Sequence, residues 1–200
     1  YHHGTRFLSG MLLRLTDERP MLLSSTIRQD NALLAVDVTN PDVSQDGELL
    51  VARGTVHIAR TAFLWDDACH NRIVFRNYGL TAVRVPIELR FEADFADIFE
   101  VRGAKRDRRG TQRDPQVLDD GVLLRYDGLD GVSRSTRLRF EPAPERLTPT
   151  TAAYDVRLDP QAEMAVDAFD EFAAPGVYAQ IYDASGRPLA ASSNIPQGGL

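Results

Sequence analysis

Apolar and polar residues alternate with a period of two along most of the chain. The clearest case is residues 83–92 (VRVPIELRFE), where every odd position is apolar and every even position is charged or proline. A side chain leaves alternate faces of a strand at successive residues, so this run predicts a half-buried strand, with Pro86 at a sheet edge or bulge because it cannot donate a ladder hydrogen bond. The same period recurs in 136–140 (TRLRF) and 154–159 (YDVRLD). Shorter versions lie at 11–15, 34–38, 56–58, 73–75, 122–126 and 177–181. Between them stand turn formers: Asn40-Pro41-Asp42, Asp46-Gly47, Asn77-Tyr78-Gly79, Asp127-Gly128, Asp130-Gly131 and residues 185–188, SGRP. Many short strands with one wet face each predict an all-β protein, an antiparallel β-sandwich with at most one or two short helices. The helices are expected at 96–101 and at 160–172, the second with Gln161, Glu163 and Asp167 on one side. Residues 105–115 are polar and basic and read as a long exposed loop or hairpin tip.

Composition narrows the functional classes. Of 200 residues, 43% are hydrophobic and 26% charged, as in a globular chain that folds without a metal or disulfide. A net charge of −6 disfavours nucleic acid and anionic membrane as partners, since both attract basic surfaces. The sequence has no secretory signal pattern and no apolar run of spanning length. Its single cysteine, Cys69, suits a reducing compartment. A cytoplasmic protein without nucleic-acid or membrane partners is the expectation.

Beyond the pattern, several stretches resemble the N-terminal domain of bacterial amylo-alpha-1,6-glucosidases, the glycogen debranching enzymes. They are residues 4–9 (GTRFLS), 20–25 (PMLLSS), Asp30-Asn31-Ala32, Thr39-Asn40-Pro41-Asp42, 91–103 (FEADFADIFEVRG), Arg108-Arg109-Gly110, 126–131 (YDGLDG) and 134–140. The resemblance implies a supersandwich-like domain over residues 1–160 that precedes a helical catalytic barrel. Residues 161–200 form a divergent extension or the last strands of the same domain, and 176–194 bear a faint likeness to the extracytoplasmic segment of some sensor kinases. The resemblance further implies a non-catalytic module that packs on the barrel, helps shape a glucan-binding cleft, and needs no cofactor. No catalytic residue carries over, because such enzymes keep their catalytic acids in the barrel.

Candidate chemistry concentrates in residues 91–103. Hydrolysis of a glycoside requires two carboxyl groups about 5 Å apart, or about 6.5–9.5 Å apart, across one bond. On a strand continued through residue 97, Asp94 and Asp97 would face opposite ways, while Glu92 and Asp94 would share a face at roughly 6.6 Å. The plainer alternative is an acidic strand end that caps the next turn, with Arg102 or Arg106 as its charge partner. As a binding site, Asp94, Phe95, Asp97, Phe99 and Arg102 supply the carboxylate, guanidinium and aromatic groups that hold sugars, whereas Phe95 and Phe99 could equally be core anchors.

The basic run Arg102, Lys105, Arg106, Arg108, Arg109 and Arg113 is broken by Asp107 and Asp114 and lacks interleaved aromatics. It reads as a solvated loop or a docking surface rather than a phosphate site. His2, His3, His57 and His70 have no metal-ligand spacing, and there is no Gly-x-Ser-x-Gly elbow. Trp65 is expected as a core ring, with an exposed stacking platform as the alternative. Two further functions stay open: a stand-alone carbohydrate-binding module, and a mutarotase-like sugar enzyme that would use His57 with Glu88 or Glu92.

Overall fold

A computed structural model describes residues 1–65 and 68–173, with the backbone alone from 170 to 173 and at 180–182 and 188–191. The strands are β1 (Gly10–Leu15), β2 (Met21–Ile27), β3 (Leu33–Thr39), β4 (Val43–Gln45), β5 (Glu48–Val51), β6 (Val56–Trp65), β7 (Ala68–Asn77) and β8 (Val83–Glu92). After the one-turn helix α1 (Ile98–Val101) come β9 (Thr111–Leu118), β10 (Gly121–Asp127), β11 (Ser133–Glu141), β12 (Arg146–Leu147), β13 (Thr151–Leu158), β14 (Glu163–Ala173), β15 (Gln180–Tyr182) and β16 (Pro188–Ala191). They build an eight-stranded antiparallel sheet, β2-β3-β6-β7-β14-β11-β10-β9, and a four-stranded one, β1-β8-β13-β12, with small hairpins β4-β5 and β15-β16. The protein is the expected all-β sandwich. The strand expected at 177–181, the turn at 185–188 and the likeness at 176–194 fall mainly outside the described residues.

The alternation becomes the core. Val83, Val85, Ile87, Leu89 and Phe91 of β8 are buried, as are Ala152, Tyr154, Val156 and Leu158 of β13. They meet Val56, Ile58, Ile73, Phe75, Val122, Leu124, Leu138, Phe140, Val166 and Ala168 of the large sheet in one hydrophobic cluster. Phe91 and Phe140 touch across the two sheets with ring centroids 5.6 Å apart. Fully burying one such side chain contributes roughly 1.5–3 kcal/mol. The small sheet covers the middle of the large one, since strands β2 and β9 at its two edges are mostly exposed.

Four expectations change. Residues 160–172 are not a helix: β14 lies inside the large sheet, paired with β7 through Glu163–Glu171 and with β11 through Asp167–Ala173. Its alternate apolar positions Met164, Val166 and Ala168 face the core, and ladder bonds on both sides outweigh the weak helical pattern. Pro86 sits neither at an edge nor at a bulge, because β8 lies between β1 and β13. Pairing with β1 ends at Leu15↔Ile87, one residue away, and the Pro86 carbonyl accepts from the Thr16 N–H, so the missing donor falls where the ladder has stopped. The segment 105–115 is a loop only to Gly110; from Thr111 it is edge strand β9, with Pro115 opposite the register shift between Leu123 and Arg125. Trp65 is no core ring, being 56% exposed.

Candidate functional site

Strand β8 stops at Glu92, so the strand geometry considered for Asp94 and Asp97 does not apply. The chain turns instead through Phe95, whose φ of 50° lies in the left-handed region, and enters α1 with Asp97 as its N-cap. Asp97 Oδ1 accepts from the N–H groups of Phe99 (2.8 Å) and Glu100 (2.9 Å), and Glu100 Oε2 accepts from the Asp97 N–H at 3.0 Å. This capping box satisfies otherwise orphaned donors. The N-terminal segment closes against the block: Arg6 N–H donates to the Ala96 carbonyl and Ile98 N–H to the Gly4 carbonyl, both at 2.9 Å. Arg6 also pairs with the Asp94 carboxylate, its Nε lying 3.1 Å from Oδ1.

The basic loop folds back onto the same block. Arg106 pairs with Asp97, and Arg109 pairs with Glu100 at 2.9 Å and donates to the Asp94 carbonyl at 2.7 Å. The Arg109 guanidinium lies 5.7 Å from the Tyr126 ring centroid, and Tyr126 stacks on buried Phe95 at 5.7 Å and 9°. Gly110 donates its N–H to the Tyr126 hydroxyl at 2.7 Å. From the β10–β11 turn, Asp130 pairs with Arg134 at 2.7 Å. The surfaces between these groups enclose a cleft of about 340 Å³, lined by Thr5, Phe95, Asp97, Glu100, Arg106, Arg108, Arg109, Tyr126, Leu129, Asp130 and Arg134. That volume lies within the range of small-ligand sites, about 300–1,000 Å³.

The aspartates in and beside the cleft are shifted toward the ionised form. Burial pushes Asp94 up, but the Arg6 hydrogen bond, the Ala96 N–H and the nearby Arg109 together hold it below its ordinary value. The Glu100 N–H, Arg106 and the Phe99 N–H hold Asp97 low against its partial burial. Arg134 and the Val132 N–H bring Asp130 down to about 2. A group that donates a proton to a leaving oxygen needs the opposite shift.

Of the five residues expected to contact sugar, Phe95 and Asp97 line the cleft, whereas Asp94, Phe99 and Arg102 do not. Phe95 is a core anchor at 3% exposure, and Phe99 stands 61% exposed. Arg102 is the C-cap of α1, so the charge partner of the acidic turn is Arg106. The cleft residues that the sequence left unassigned, Thr5, Tyr126, Asp130 and Arg134, all lie within or beside the quoted family stretches, which meet here in space. His57 does not meet Glu88 or Glu92. It lies on the outer face of the large sheet, with Nε2 3.0 Å from Asp37 Oδ1, while Glu88 binds Arg90 on the outer face of the small sheet.

The two-sheet sandwich is shared, as a fold, with part of a larger solved protein. A solved structure named as a kojibiose phosphorylase, from the human microbiome, superposes with a TM-score of 0.59 at 12% identity, over 86% of this chain and 22% of the other. The chain belongs to the family described as the N-terminal domain of some glycogen debranching enzymes, which matches residues 1–168. Solved structures of a polysaccharide lyase (TM-score 0.38, 11% identity, 84% of this chain and 25% of the other) and of a protein named as an aldose 1-epimerase from Escherichia coli K12 (0.39, 7%, 78% and 69%) align more loosely. No curated protein matches in sequence. Among the described residues, no helix is long and apolar enough to cross a membrane.

Proposed function

We propose that this chain is a non-catalytic module of a debranching glycoside hydrolase, which packs on a helical catalytic barrel and helps shape its glucan-binding cleft. The observation that carries this reading is the state of the acidic block: Asp94, Asp97 and Glu100 are each held by an arginine, and the first two are shifted toward the ionised form. Carboxylates so committed suit a rigid binding wall better than proton transfer. Family membership and the 22% share of the phosphorylase chain are consistent with a partner domain.

In this role Asp94 and Phe95 hold the wall in place. Asp97, Phe99 and Arg102 lie on its solvent side, and Arg108, which has no ion pair among the described residues, is available as a donor to sugar hydroxyls. Incubated with branched limit dextrin, the 200-residue chain is expected to release no reducing sugar, while a polypeptide that joins it to the helical barrel does. Release by the chain alone would overturn the proposal. A stand-alone carbohydrate-binding module is the second reading, favoured by the exposed ring of Trp65.

A further inference from the structure

Strand register places the rings of the β6–β7 hairpin in a lattice on the outer face of the large sheet. Phe63 pairs with His70, and His70 with Phe169, so three rings cross β6, β7 and β14 in one rung. The centroids of Phe63 and His70 are 5.6 Å apart, and those of His70 and Phe169 are 5.3 Å apart. Trp65, two residues beyond Phe63 on the same face, lies 6.3 Å from it with the planes inclined by 25°. Neither ring is covered, Trp65 being 56% and Phe63 36% exposed. On the other side, two residues along each strand, the next rung is Thr61, Arg72 and Asp167, with Arg72 and Asp167 paired at 3.0 Å.

An aromatic rung beside a hydrogen-bonding rung, roughly 6.6 Å apart, matches a particular ligand chemistry. A pyranose has an apolar C–H face that lies flat on an aromatic ring and a rim of hydroxyls that needs donors and acceptors close by. A docked protein domain suits this face less well, because it would have to desolvate the Arg72–Asp167 pair, a cost that good packing elsewhere must overcome. Exposed apolar patches of this kind mark binding surfaces. We propose that the outer face of the β6–β7–β14 rungs is a carbohydrate-binding platform, on which Trp65 and Phe63 stack against a neutral glucan chain while Thr61, Arg72 and Asp167 bond its hydroxyls. The platform is on a different surface from the cleft and does not depend on it.

Trp65 is the sole tryptophan, so its fluorescence reports this site alone. Titrating the 200-residue chain with maltoheptaose is expected to change Trp65 emission saturably, and glycogen in a native gel to retard the chain. Trp65→Ala and Phe63→Ala, each at unchanged Tm, are expected to weaken retardation by roughly tenfold, while Leu129→Ala in the lining of the cleft leaves it intact. Unchanged emission up to about 10 mM sugar, a range in which even millimolar binding would register, overturns the platform whatever the variants do. So does a folded Trp65→Ala protein retarded like the wild type. Retardation lost in Leu129→Ala but kept in Trp65→Ala assigns glucan to the cleft, and then the platform falls while the proposed module role stands.

Discussion

Gly110 illustrates how tightly single residues are fixed around the cleft. A Cβ placed there would lie 2.0 Å from the Asp127 carbonyl oxygen, closer than any atom can approach without moving backbone. Gly110→Ala is therefore expected to lower stability by about 1–3 kcal/mol or more, read as a shift in the urea midpoint. Asn77 is comparable: buried, it donates to the carbonyls of Thr81, Leu158 and Asp159 and accepts from the Gly79 N–H, tying the end of β7 to two loops. Asn77→Ala strands several of these groups and should cost about 1–3 kcal/mol.

The carboxylates set the acid limit. Arg134 holds Asp130 at about 2 against an ordinary 3.8, Arg113 and Ser133 hold Asp127 low, and Asp94 and Asp97 are also depressed. A carboxylate whose pKa is lower folded than unfolded binds fewer protons in the native state. Its stabilisation is complete above the unfolded value and disappears as pH falls through the folded one. The contribution of these four groups is thus present above about pH 4 and lost as pH falls below it, for Asp130 toward pH 2. Asp130→Asn is expected to make the stability curve shallower in that window, measured by thermal unfolding in buffers from pH 2 to 7.

Among elements, β14 carries the most consequence for its length, because it joins the β2-β3-β6-β7 half of the large sheet to the β11-β10-β9 half. Its amides are bonded on both sides, whereas edge strand β2 is exposed along most of its length. Native-state hydrogen exchange is expected to find the amides of residues 164–169 among the slowest in the chain, and those of 22–26 that point away from β3 among the fastest. The helix expected at 160–172 fails for a reason visible in particular residues. Gln161, Glu163 and Asp167 suggest a polar stripe, but Met164, Val166 and Ala168 also alternate, and a segment this short supports both periods. By contrast β8 carries ten residues of strict alternation and was legible to the residue, from Val83 to Glu92. Helix α1 was legible too, since Asp97 and Glu100 form the spacing of a capping box.

At the scale of the molecule, one chain presents two unlike surfaces: a polar cleft where ion pairs join four segments, and an aromatic rung on the outer sheet face. Alternation and turn residues alone determined that the protein is an antiparallel sandwich and which side chains of β8, β11 and β13 face its core, because period two is a local property of a strand. The stretches at 4–9, 91–103, 108–110 and 126–131 were equally plain as family markers. What they do together was decided only by the fold. Arg106 and Arg109 meet Asp97 and Glu100, Tyr126 meets Phe95, and His57 meets Asp37 rather than Glu88 or Glu92, through pairings that no local pattern encodes. Trp65 had the same character: its neighbours in sequence suit a core strand, but strand register puts it beside Phe63 on the outer face of the large sheet, away from the small sheet, and which face a second layer covers is a property of the assembled chain.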